Sequence, residues 1–553
     1  MSRNILKSSL QDASFSIIFQ ILFRCVTFIL NAFVIRHVGQ NVLGIMNVRL
    51  LLLESTILFL SREPLLKACL TNTKSHNWAQ VVNQIWASVP ICSVLSMLLV
   101  YVWINILSPT EEQYFPQYCF GCYSIALSCV LNQMTQSFFL VAQSYCFVKL
   151  RVVIETVYVT VRTIIFVVII VYEPQQAINA FSIAQILSQI VYCIGFVVFF
   201  WWYIKELNKL KDIKSGNTVK VPAIFKDMND FQFQSVYDFL PGFMKNTDHL
   251  FNKNLGILTL SFIKQCIVKQ LLTEGERYVM TLSPVLTFSQ QSMYDIVNNL
   301  GSLAARFVFR PIEDSSYFYF TQMLKRDELL EKQDQKSVTE AVTVLSQICK
   351  VVTSIGLVVV VFGQTYSNSL LYLYGGEVLT SDSLPTTLLR CHCVAVLLLA
   401  VNGVTECYVF ATMTSMQLDR YNYIMVIFSV TFLVISYLLT YILGPVGFII
   451  ANCINMTARI THSIYFIQKR YQGTHYRPLE GLKPSVKFVI ILIISAVITK
   501  ISEFHVYPRS LLLHIAIGAL CFGITILIWL FENQELLRLG IDKYKRKTSI
   551  KVD

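Results

Sequence analysis

Charge is what this chain has least of. Asp, Glu, Lys and Arg make up 14% of its 553 residues against 55% hydrophobic ones, and mean hydropathy is +0.57. At that ratio too little polar surface remains to cover a soluble core, so the composition points to an all-α polytopic membrane protein. Other absences narrow the class. The first apolar run, Phe15 to Ile35, has spanning length and no small-residue cleavage pattern behind it; it is expected to act as an uncleaved anchor. The fifteen cysteines are mostly isolated in apolar runs, Cys119 and Cys122 form a lone CxxC, and Cys391-His392-Cys393 lacks a partner cluster. A disulfide framework or metal site is therefore not expected. The phosphate-cradling pattern GxxxxGK[ST] is missing, "GQNVLGIMN" failing at its last two positions, which argues against an ATP-driven mechanism. No RNP, zinc-finger or helix-turn-helix pattern accompanies the net charge of +12, so no nucleic-acid partner is implied. No nucleophile, base and orienter stand at motif spacing. The chain does not read as an enzyme, and no cofactor is expected.

What is there is a succession of apolar runs of about 20 residues, the length that crosses a bilayer. They lie near 14–35, 43–60, 79–107, 117–144, 148–172, 178–204, 255–283, 292–320, 338–363, 387–412, 422–442, 446–468, 488–502 and 510–532. That predicts about fourteen transmembrane helices. With loops assigned alternately to two sides, the loop lysines and arginines gather on the side holding both termini, leaving Arg36 and Arg509 opposite. The positive-inside rule then sets both termini in the cytosol. Four regions follow: an N-terminal lobe (1–204, helices 1–6), a lysine-rich cytosolic linker (205–254), a C-terminal lobe (255–468, helices 7–12), and two further helices with a basic tail (469–553). Within the linker, "FKDMNDFQFQSVYDFLPGF" is amphipathic and reads as lying on the membrane surface. Trp78 and Trp201, near span ends, read as interface anchors.

Ionisable residues inside the spans carry the functional signal, because each costs several kcal/mol in hydrocarbon and normally faces a bundle interior or a wet cavity. The seventh span contains "KQLLTEGERYVMTLSPVL", with Gln270, Glu274 and Arg277 at spacings of four and three. The first carries Gln20, Arg24 and Asn31 on one face, and the second Asn47, Glu54 and Ser61 at spacing seven. On the eighth, Asp295, Asn299, Ser302, Arg306, Arg310 and Glu313 form a stripe of about 27 Å at 1.5 Å per residue. Stripes on four helices predict an aqueous cavity whose excess charge is positive near Arg24, Arg62, Arg277, Arg306 and Arg310. Guanidiniums fork onto phosphate oxygens while Asn, Gln and Ser satisfy sugar hydroxyls, so a charged, sugar-bearing lipid suits such a path. "FLSREP" and "FVFRPI" place Arg62 and Arg310 at matching points of two helices 248 residues apart, in the manner of parallel repeats.

The stretches "ILFRCVTFILNAFV", "NVRLLLLESTILFLSRE", "KQLLTEGERYVMT", "YDIVNNLGSLAARFVFRPIE", "LLLAVNGVTECYVFA", "DRYNYIM" and "VGFIIANCINMTARI" resemble the eukaryotic dolichol-linked oligosaccharide flippase family of the endoplasmic reticulum, within the multidrug/oligosaccharidyl-lipid/polysaccharide exporter superfamily. The resemblance implies two six-helix lobes around a central polar cavity, plus two extra C-terminal helices. It implies a multi-pass protein of the endoplasmic reticulum membrane with dolichyl-diphosphate heptasaccharide as cargo, moved from the cytosolic to the lumenal leaflet for protein N-glycosylation. Its implied partners are that lipid, membrane lipid and the N-glycosylation machinery. The resemblance assigns diphosphate or headgroup binding to Arg24, Arg62, Arg277, Arg306, Asn31, Asn298 and Asn299. It gives positioning or gating to Glu274, Asp295, Arg310 and Glu406. Two other readings stay open: a cation-coupled small-molecule exporter using Glu274 and Glu406, and a non-transporting membrane factor supporting N-glycosylation.

Overall fold

A computed structural model describes residues 28, 30–70, 77–107, 112–145, 147–214, 231–244, 250–283, 285–303, 305–326, 328 and 330–534, and no strand occurs among them. Hydrocarbon offers no water to backbone N–H and C=O groups, and a helix satisfies them within its own segment. In chain order the helices are α1 (described over 30–37), α2 (Gln40–Cys69), α3 (Trp78–Asn105), α4 (Phe115–Ser144), α5 (Val148–Tyr172), α6 (Ala177–Lys214) and α7 (Lys253–Leu282). There follow α8a (Phe288–Gly301), α8b (Arg310–Met323), α9 (Gln335–Gly375), α10 (Ser383–Thr412), α11 (Ser415–Leu443), α12 (Val446–Arg470), α13 (Val486–His505) and α14 (Leu511–Glu532).

Among the described residues nine helices are long and apolar enough to cross a membrane, and the bent α4 and α7 raise this to eleven. The protein is a multi-pass membrane protein. The expected count of fourteen is not reached by this measure, for three physical reasons. Most of the first predicted span lies outside the described residues, α8 is broken and polar, and α12 is diluted by Asn452, Asn455, Arg459 and His462. Breaks elsewhere are local. A π-turn, Ile45–Leu50, interrupts α2, and α4 bends by 45° between Met134 and Gln136. The stripe read along residues 295–313 presumed one straight helix; instead α8a stops at Gly301 and a π-turn, Ala305–Phe309, precedes α8b. Pro311 lies at the junction of this π-turn and α8b.

The helices fall into two compact units, one running to Leu282 and including Thr287–Ser292, the other comprising Ser283–Leu286 and the chain from Met293 onward. In the first unit α7 packs along α2. Its core is aromatic where residues 231–244 fold against α3, α4 and α6. Phe239 stacks on Phe138 at 4.4 Å and on Phe233 at 4.5 Å between ring centroids. Trp86 Nε1 donates to the Phe239 carbonyl at 2.7 Å. Tyr237 and Phe243 of this stretch stay exposed, while Phe231, Phe233 and Phe239 are buried in the bundle. Trp78, expected as an interface anchor, is likewise buried, 5.7 Å from the ring of Tyr145, whereas Trp201 is exposed.

In the second unit α13 and α14 are bound to α9 and α10 by polar contacts. Arg390 on α10 donates to Glu503 on α13, which also takes Lys500, and Tyr366 on α9 donates to the His514 carbonyl at 2.8 Å. With 41 residues, α9 is about 61 Å long, twice the hydrocarbon thickness. Its first four turns, up to Lys350, carry the segment 471–483. Gly481 sits so close that a Cβ there would lie 1.8 Å from the Ser346 carbonyl oxygen, and Tyr476 and Thr339 hydroxyls are 3.0 Å apart.

Candidate functional site

Polar side chains of the first unit gather between α2 and its neighbours. Gln185 Nε2 on α6 donates to Glu54 at 2.7 Å and to Ser128 Oγ at 3.3 Å; Gln133 Nε2 donates to Ser61 Oγ at 3.0 Å. Gln133, Gln185 and Ser61 are buried. The Glu54 and Ser61 side of α2, expected to line a wet cavity, is therefore a hydrogen-bonded seam against α4 and α6, the kind of contact that holds helices together in lipid at about 0.6 kcal/mol each. A second seam joins α2 to α7: Thr56 and Tyr278 hydroxyls are 2.7 Å apart, and Gln270 Nε2 reaches Ser55 Oγ and Tyr278 at 3.4 Å.

The arginines of this unit stand differently. Arg277 lies 3.3 Å from Glu274 one turn earlier, Arg62 lies 3.1 Å from its neighbour Glu63, and the two guanidinium side chains keep 31% and 29% of their surface accessible. A carboxylate within the same helix lowers the cost of placing a cation among apolar residues. Asn31, on α1, is exposed, while Arg24 lies outside the described residues.

In the second unit Glu406 on α10 is surrounded. Arg459 of α12 donates to its Oε2, Asn402 Nδ2 reaches the same oxygen at 3.2 Å, and Tyr421 of α11 donates to Oε1 at 2.8 Å. Glu313 of α8b runs against Gly403, where a Cβ would lie 1.7 Å from its Oε1. Asp295 is buried on α8a and accepts from Asn299 Nδ2 at 3.1 Å; Asn298 is half-buried beside it. Arg310 opens α8b, exposed. Arg306 falls in the π-turn, and its side chain lies outside the described part of the structure. The expected residues thus divide: Asn31, Arg62, Glu274 and Arg277 belong to the first unit, and Asp295, Asn298, Asn299, Arg306, Arg310 and Glu406 to the second. Among the described residues no group of three or more His, Cys, Asp or Glu could hold a metal ion.

A sequence model of the family described as Rft-1, Rft protein, matches residues 8–543. The chain belongs to the Rft protein family. Curated Rft relatives match along nearly their whole length. A Drosophila melanogaster protein is 48% identical over 563 aligned residues, covering all of both chains, and a Xenopus tropicalis protein is 41% identical over 95% of each. Both are named Man(5)GlcNAc(2)-PP-dolichol translocation protein RFT1. Two solved structures share the fold: lipid II flippase MurJ in an inward closed conformation (TM-score 0.55, 11% identity, 93% of this chain and 99% of that one), and an inward-facing multidrug resistance MATE family transporter (0.54, 12%, 81% and 95%).

Two residues of this Rft family member escaped the sequence reading. Arg459, the partner of Glu406, is the single Lys or Arg in the predicted span 446–468 and stands with Asn452, Asn455 and His462 at spacings of three, four and three, a signal as strong as that around Arg277. Arg49 is buried where the π-turn of α2 widens; its Nη1 donates to the Leu107 carbonyl at 3.4 Å and its guanidinium lies 5.4 Å from the Phe288 ring centroid.

Proposed function

We propose that this protein moves dolichyl-diphosphate heptasaccharide from the cytosolic to the lumenal leaflet of the endoplasmic reticulum membrane, by alternating access, for protein N-glycosylation. The observation that carries the reading is the 48% identity, over the whole length of both chains, to a relative named for translocating Man(5)GlcNAc(2)-PP-dolichol. Arg62 and Arg277, half-exposed cations on apolar helices, have the chemistry a diphosphate requires. The proposed headgroup residues are Arg24, Arg62, Arg277, Arg306, Asn31, Asn298 and Asn299, positioned or gated by Glu274, Asp295, Arg310 and Glu406. Both termini are proposed to face the cytosol, and the N-glycosylation machinery is a proposed partner. A cation-coupled exporter would need a carboxylate free to load its ion; Glu274 and Glu406 are each held by an arginine.

The test is leaflet translocation in sealed vesicles containing only the purified protein and the dolichyl-diphosphate heptasaccharide. Wild type is expected to exceed protein-free vesicles. Arg277→Ala, losing a charge-assisted contact of about 1.5–3 kcal/mol, should lose roughly tenfold or more. Folded wild type that gives no acceleration would overturn translocation and assign the chain a supporting role in N-glycosylation.

A further inference from the structure

At one end of the second unit α11 and α12 enclose a pocket of about 480 Å³ whose wall carries Arg420, Lys469 and Arg470. The pocket straddles the edge of the apolar layer. From Ile424 to Leu443 α11 runs 20 residues without a charge, about 30 Å at 1.5 Å per residue, which is the hydrocarbon thickness. Arg420 stands one turn outside that stretch, and Lys469 and Arg470 close α12 at the same level. Ile424 and Phe466 supply an apolar wall, and the exposed Tyr465 supplies a ring with a polar tip, the kind of side chain that settles at a membrane boundary.

Among the described residues the three cations have no carboxylate counter-ion. Elsewhere in this unit three helix cations meet carboxylates: Arg459 meets Glu406, and Arg390 and Lys500 share Glu503. Among the described residues, neither Arg420, Lys469 nor Arg470 has a carboxylate within ion-pair distance. Arg470 Nη1 donates to the Thr412 carbonyl at 3.2 Å, but its Nε and Nη2 are enclosed without an acceptor, as is Nδ1 of His462 on the same wall. Three cations on one pocket wall, two of them guanidiniums, suit a multivalent oxyanion, and a phosphate takes guanidinium donors in pairs.

We propose that this pocket binds the phosphomonoester headgroup of a membrane lipid, the phosphate against Arg420, Lys469 and Arg470 and the start of the acyl chains against Ile424 and Phe466. None of the three cations belongs to the headgroup set proposed above for the transported cargo, so the site stands independently of that reading.

The experiment is native mass spectrometry of the full chain released from phosphatidylcholine nanodiscs with and without phosphatidic acid. Wild type should retain phosphatidic acid well above its share of the bilayer. Arg420→Gln with Lys469→Gln, both exposed side chains, should reduce that retention by about tenfold without changing phosphatidylcholine adducts, a factor that corresponds to about 1.4 kcal/mol. Arg420→Lys with Lys469→Arg should restore it. Equal retention by wild type and the double glutamine variant overturns the proposal, as does wild type that holds phosphatidic acid no better than phosphatidylcholine. A third arm adds inorganic phosphate in excess: displacement of the lipid by phosphate alone would assign the pocket to the soluble anion and overturn the lipid, whereas retention supports it.

Discussion

A carboxylate among apolar helices needs its oxygens satisfied, and Glu406 has three donors from three helices: Asn402 on its own α10, Tyr421 on α11 and Arg459 on α12. Removing one member strands the rest. Arg459→Ala should lower stability by about 3–5 kcal/mol, because the carboxylate loses its cation while remaining enclosed. Replacing both, Glu406→Gln with Arg459→Met, should recover much of that loss. Thermal unfolding in detergent measures both, and equal losses for single and double variants would show that packing, and not charge, sets the cost. At this scale the sequence was only half legible. Glu274 and Arg277 are three residues apart on one helix, so periodicity alone brings them together. Glu406 and Arg459 are 53 residues apart, and nothing in either helix's own pattern names the other.

Helix positions were legible because the bilayer demands both apolar side chains and an internally bonded backbone over a fixed length. Their breaks were not: the π-turns at 45–50 and 305–309 contain neither Gly nor Pro, and they answer to neighbours distant in the chain. One such neighbour is visible at Gly44, where a Cβ would lie 2.2 Å from the Phe288 carbonyl oxygen. Gly44→Ala should therefore push residues 287–292 away and cost about 1–3 kcal/mol. Gly39→Ala, with nothing within 4 Å and an ordinary negative φ, should leave the melting temperature unchanged. The aromatic stretch 231–244 was legible only in part for a related reason: amphipathicity reveals that one side must be covered, not by what. Phe239 is fully buried, and Phe239→Ala should cost about 3–5 kcal/mol and expose the buried aromatics of 231–244 to chymotrypsin. A cleavage rate equal to wild type would mean that the segment stays docked without that ring.

For the whole molecule the basic residues make a statement about sidedness. Protease added outside sealed endoplasmic reticulum vesicles should remove epitope tags from both termini, while a glycosylation sequon engineered into the turn at 507–510 should be modified. Tags protected at one end only would require an odd number of crossings and would overturn the alternation on which that assignment rests. The polar resemblances carried the family correctly, since an Rft model matches residues 8–543. The division of the expected site residues between two packing units could not be read from them, because a helix's sequence shows which face is polar and not which bundle it joins.

The length of α9 has a practical side. Its first four turns, with Gly481 seated on the Ser346 backbone and Tyr476 on Thr339, form an ordered feature within the second unit. A small membrane protein offers little for particle images to be aligned on. An antibody fragment raised against the surface around Tyr476 and Thr339 would grip a rigid feature continuous with a transmembrane helix, turning an over-long helix into a fiducial mark for imaging the protein in different states.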